Sequence, residues 1–211
     1  ILFMQHHRTS KPEEDISHIR QMMERSTSFL SLSGLSGISA GLIGMAGFLA
    51  VYYIISTNGL GYSDLKENPY SVPLTLRILA VACLTLAAAL GSAFYFTQRK
   101  ARKTGQSLWS KPARNALTAF ALPVSSGGLL CLILIWHRLL FLVAPLTLVF
   151  YGLALTGMSR HTHREVYWLG ICEIALGIFA CMIPGYGLIF WMLGFGVLHI
   201  VYGAALYKKY K

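Results

Sequence analysis

Two residues in the last forty carry nearly all the chemistry that this sequence offers. Glu173 sits inside one membrane-length apolar run and His199 inside the next, and Pro184-Gly185 joins the two runs. A carboxylate or an imidazole in hydrocarbon is expensive unless it is paired or solvated, so ionisable groups at such depth mark a working site or a pairing device. With the boundary set near Tyr167 and Tyr207, Glu173 lies about 9 Å deep and His199 about 12 Å deep at 1.5 Å per residue. Antiparallel neighbours at similar depth can meet, and the expectation is a shared hydrogen bond or proton. Tyr202, one turn from His199, extends that candidate site.

Other constellations are thinner. Pro123, Ser125, Ser126, Gly127 and Gly128 fall near the middle of a span, where proline removes a helical hydrogen bond and paired glycines weaken the next turn. A kinked or unwound segment is expected there, with freed backbone groups available to line a site. Arg77 near the start of another span, and Arg99, Lys100, Arg102 and Lys103 beyond its end, are candidate contacts for an anion or for lipid headgroups. His161 and His163 are weak metal candidates, two ligands being too few without outside help. Neither a His-Glu-x-x-His, a Gly-x-Ser-x-Gly nor a phosphate-binding glycine loop occurs, so no catalytic residue is assigned, an enzyme is not expected, and no cofactor is called for.

The elements that position these residues follow from composition. The 211 residues are 55% hydrophobic and only 12% charged, with a mean hydropathy of +0.57, too few charges to cover a soluble surface. Six apolar stretches of about 20 residues each fit helices crossing roughly 30 Å of hydrocarbon. The expected fold is all-α, a polytopic membrane bundle with transmembrane helices at 34–57, 72–97, 115–136, 139–158, 166–183 and 186–207. Residues 1–33 read as a cytoplasmic or interfacial amphipathic helix. Ser10 and Glu13 form a capping box there, and Ile16, Ile19, Met23 and Leu30 fall on one face. Residues 208–211 form a basic tail.

Charge sets the expected orientation. The chain carries 18 Lys and Arg against 8 Asp and Glu, a formal +10, and these basic residues cluster at the ends of the apolar runs. Topology and anionic headgroups explain that pattern better than nucleic acid does, and no nucleic-acid partner is expected. The segment 98–114 holds six basic residues and no acidic one, whereas 58–71 is weakly acidic, which places both termini on the cytoplasmic side. The four cysteines all fall within spans and read as small buried hydrophobes. The first span is rich in small residues, Gly34, Gly37, Ala40, Gly41, Gly44 and Gly47. The spacings from Gly37 and Gly34 to Gly41 place a smooth stripe that lets another helix approach closely.

Several stretches resemble small uncharacterised inner-membrane proteins of Bacteroidota-type bacteria. These are Glu14-Asp15-Ile16 through Arg25-Ser26-Thr27, the run from Phe29 to Gly37, Pro184-Gly185-Tyr186-Gly187, and Gly194 through His199. The resemblance implies a multi-pass protein of a bacterial inner membrane and brings no activity. The main functional expectation is a structural, assembly or regulatory membrane protein. Its partners would be the anionic cytoplasmic leaflet, a second copy of the chain, or a protein docking on residues 10–30. The alternative is a small-molecule or ion transporter or channel using a buried Glu-His pair.

Overall fold

The computed structural model describes residues 33–66, 71–105, 107 and 109–209. The capping box, the amphipathic face and the proposed docking segment 10–30 lie outside these residues.

Six helices long and apolar enough to cross a membrane make up the described chain. They are α1 (Gly34–Thr57), α2 (Val72–Thr104), α3 (Lys111–Trp136), the span Leu140–His161 whose α-helical part is α4 (Val143–Met158), α5 (Arg164–Met182) and α6 (Gly187–Lys209). Short 3-10 turns, Leu140–Leu142 and Ser159–His161, flank α4. The protein is an all-helical membrane bundle.

Local chemistry explains where the helices begin and end. α2 does not stop at 97 but runs on to Thr104, so Arg99, Lys100, Arg102 and Lys103 stand on its last turns and not on a loop. Basic side chains near a helix C-terminus complement its dipole, and Gly105 closes the helix in the left-handed conformation at φ 65°. α3 likewise starts early, at Lys111, because Ser110 caps it through the Ala113 amide and Pro112 occupies the first turn, where its missing donor costs little. The α5–α6 turn passes through Gly185 at φ 103°, a conformation that favours glycine.

α3 stays helical through Pro123 and is not unwound there. Just beyond the proline, Ser126 donates to the carbonyl of Leu122 at 2.7 Å and Ser125 to the same oxygen at 3.1 Å, so both hydroxyls are bonded back within their own helix. The expected break is a proline absorbed within a continuous helix.

In lipid, helices associate through close packing and polar contacts, because the tails are as apolar as the side chains. Glycine provides the close packing. A Cβ built on Gly37 would lie 2.9 Å from the Gly203 Cα, and one built on Gly203 would lie 2.4 Å from the Ile38 amide nitrogen. The stripe on α1 therefore seats α6 backbone to backbone. Gly152 and Gly170 do the same for α4 and α5, each ideal Cβ falling under 3.0 Å from the other's carbonyl oxygen, at 2.6 and 2.8 Å. α2 rests on α1 and α3 on α4, and α2 and α3 share no extended interface among the described residues.

One end of the bundle is plugged. Leu65, 2% exposed, packs with Ile55, Leu74, Leu140 and Leu188, and the Tyr62 hydroxyl donates to the Phe141 carbonyl at 2.8 Å. Burial pushes the Tyr62 phenol up, so it stays neutral and keeps donating. At the other end Lys209 pairs with Glu165, tying the end of α6 to the start of α5.

A candidate proton-bearing site on the last hairpin

Glu173 is buried at the middle of α5, and the side chain that meets it comes from α6. Nδ1 of His199 lies 3.3 Å from Oε1 of Glu173, with Glu173 0% and His199 5% exposed. The antiparallel hairpin brings the two residues together, as their similar depth in the sequence allows.

The backbone of α6 makes the room. Met192–Leu198 winds as a π-helix between two α-helical stretches, Gly187–Trp191 and His199–Lys209. Two glycines two positions apart, Gly194 and Gly196, have poor α propensity and leave space for the wider turn. Such segments are rare and recur at functional sites. The π register also puts the Gly194 carbonyl five positions before His199, where it meets Nδ1 at 3.0 Å. A Cβ on Gly194 would stand 2.4 Å from Oε2 of Glu173 and 2.5 Å from Leu148. Only glycine at 194 leaves room for the carboxylate where it stands.

Hydrogen bonding assigns the ring. A carbonyl can only accept, so Nδ1 carries a proton and donates to Gly194. In the neutral imidazole Nε2 then accepts from the Tyr151 hydroxyl, 2.8 Å away; in the imidazolium the same contact reverses and Tyr151 accepts. His199 is held on one side by a fixed acceptor and on the other by a group that works in both directions. The Glu173 carboxyl faces the imidazole, and among the described residues no shorter polar contact reaches either of its oxygens.

Aromatic rings enclose this contact. Phe195 stacks on His199 with centroids 5.7 Å apart, Tyr151 packs on Phe195 at 4.8 Å, and Phe120 of α3 meets Tyr151 edge-on at 5.8 Å. A proton placed on Nε2 gives an imidazolium whose Nδ1 proton faces a carboxylate. The Nδ1 proton stays directed at the Gly194 carbonyl, so the ring gains and loses its proton at Nε2, on Tyr151's side, while the carboxyl facing Nδ1 favours the imidazolium.

Of the remaining sequence candidates, Tyr202 shares a cluster with Tyr151 and the others lie away from the pair. Tyr202 packs half-buried against Leu155, Val166 and Leu169, and the hydrogen bond at Nε2 comes from Tyr151. Ser125, Ser126 and Gly128 are on the outer surface, while Gly127 packs on Phe150. Pro123 is half-buried in α3 and does not line the pair. Arg77, Arg99, Arg102 and Lys103 are exposed and Lys100 half-buried, on α2 and away from the hairpin. His163 is buried at the N-cap position of α5 and His161 half-buried in the preceding turn; no group of three metal-ligating residues occurs among the described residues.

Sequence reasoning missed Tyr151. Its signal was a phenol midway along an otherwise apolar span, away from the interfaces where tyrosine usually sits, which demands a polar partner. It also missed Gly194, because a requirement for space beside a carboxylate looks in sequence like any other glycine.

No family model matches the chain, and neither a curated protein nor a solved structure is similar to it. What is established is a multi-pass helical membrane protein with a buried Glu-His pair.

Proposed function

We propose that this protein is a small transporter or channel in which Glu173 and His199, with Tyr151, bind and release a proton as the conducting or coupling step. The observation that carries the reading is the Glu173 carboxyl: wholly buried, facing an imidazole at 3.3 Å, and reached by no shorter polar contact among the described residues. A pair kept only to fix helix register gains most when every lone pair is satisfied, since a half-satisfied buried network costs more than an apolar one. The plug around Leu65 and Tyr62 closes one end of the bundle, which directs access from the end bearing Glu165 and Lys209. We assign that end to the cytoplasm on charge, because the basic end of α2 and the lysines of α6 share it. Placement in a bacterial inner membrane rests on the sequence resemblance alone.

The structural reading has one observation in its favour, the tight glycine packing of α6 on α1 and of α5 on α4. Titration separates the two. Infrared difference spectra of the full chain in lipid, taken between about pH 5 and about pH 9, report the carboxyl stretch of Glu173 by its loss in Glu173→Gln. A functional pair changes protonation across that range and supports dye-reported proton flux into vesicles, which Glu173→Gln and His199→Ala abolish. An unchanging carboxyl band together with flux equal to that of empty vesicles overturns the proposal.

A further inference from the structure

A second site lies on the outer wall of the bundle, at the end of α4 and apart from the Glu-His pair. A cleft of about 500 Å³ opens between α3, α4 and the start of α5. Its upper rim is polar: Ser159, Arg160 and His161 form the 3-10 turn that ends α4, and Tyr167 stands opposite on α5. Its floor is Leu153, exposed, with Ala119, Thr156 and Gly157 half-buried, and the Thr156 hydroxyl donates to the Leu153 carbonyl at 2.8 Å. These floor residues belong to membrane-spanning segments, so the surroundings of the floor are hydrocarbon.

We propose that this cleft is a binding site for one anionic phospholipid, its phosphate at Arg160 and His161 and an acyl chain lying along Leu153 and Gly157. Charge complementarity selects that occupant. The rim presents a guanidinium and an imidazole, no carboxylate lines the cleft among the described residues, and the nearby Glu165 is engaged by Lys209. A basic pocket between helices at the headgroup level recognises a phosphate, while the trough beneath it excludes ligands without a tail. Tyr167, exposed and two-faced, suits the boundary between the two. Gly157 keeps the trough open: a Cβ there would meet only the Ala119 carbonyl oxygen at 3.4 Å and the Ala119 Cβ at 3.9 Å, which is ordinary contact. A Cβ at 157 is therefore accommodated without displacing a helix, and a side chain built on it starts from the trough wall.

The test is native mass spectrometry of the full chain in detergent with equimolar phosphatidylglycerol and phosphatidylcholine. Wild type is expected to retain one phosphatidylglycerol in preference. Arg160→Gln lowers that retention about fivefold, the loss of one basic residue near a membrane surface. Arg102→Gln removes the same charge elsewhere and leaves retention unchanged. Gly157→Phe lowers retention with no change of charge and with an unfolding midpoint like that of wild type. Equal loss in Arg160→Gln and Arg102→Gln, equal retention of both lipids, or full retention in Gly157→Phe each overturns the site. Displacement of the lipid by inorganic phosphate also overturns it, in favour of a soluble anion.

Discussion

The helices α5 and α2 are both apolar enough to cross a membrane, yet 33% of the apolar window of α5 is buried and none of that of α2. α5 packs against α4 through Gly170 and Gly177 and against α6 through Glu173. α2 touches α1, where Thr85 receives Gly47 and Ser92 meets Ser39 at 3.2 Å, and turns Leu76, Leu84 and Leu86 outward. Hydrophobicity does not distinguish a central helix from a peripheral one in lipid, because it gives no preference for protein over tails. Glycines that meet another helix's backbone and buried polar groups make the difference. They collect on α1, α4, α5 and α6, which form the centre, whereas a Cβ on Gly91 of α2 or on Gly128 of α3 would meet no neighbour.

That contrast can be broken most severely at Gly203. Gly203→Leu drives a side chain into the α1 backbone at Ile38 and Gly34, neither of which can rotate away, and should cost about 3 kcal/mol or more. Unfolding in mixed detergent micelles checks this, and a midpoint like that of wild type would refute close seating of α1 on α6.

His199→Ala comes next. It strands the Glu173 carboxyl without its partner, and a broken buried pair costs about 3–5 kcal/mol. Glu173→Gln should be far milder, about 1 kcal/mol, because His199 keeps its bonds to Gly194 and Tyr151. Equal losses in the two variants would mean that the carboxyl is stabilised by something other than the imidazole.

Tyr151→Phe removes one hydroxyl from Nε2 and should cost about 1 kcal/mol, while leaving Nδ1 on Gly194. Its sharper readout is the imidazole nitrogen resonance: Nε2 should shift and Nδ1 should not. The smallest effect belongs to the periphery. Leu84→Ala on α2 faces lipid and should change stability by less than about 0.5 kcal/mol by the same unfolding assay. A loss near that of a core leucine would show that α2 is covered by another protein surface in the membrane.

Much of the candidate site was legible because α-helical depth is linear in residue number. Glu173 and His199, on helices joined by Pro184-Gly185, could be brought to similar depth by counting alone. Their third partner was not legible, since Tyr151 approaches from α4, and nothing in sequence spacing says which face of α4 meets α6. The π-helix was equally hidden: glycines at 194 and 196 permit a wide turn but do not require one. At Pro123 the expected disruption did not open the helix, and α3 runs through it from Lys111 to Trp136.

By itself the sequence determined the number of spans, their antiparallel succession and the depth of the ionisable residues. Length, hydropathy and charge act along one dimension, and the bilayer reads them along that same dimension. Only the tertiary structure decided which helices are central, which residue holds Nε2, and that glycine at 194 leaves the space that Glu173 occupies. Those outcomes depend on rotation of each helix about its own axis. In hydrocarbon that rotation is set by contacts between helices and not by a pattern of apolar and polar faces.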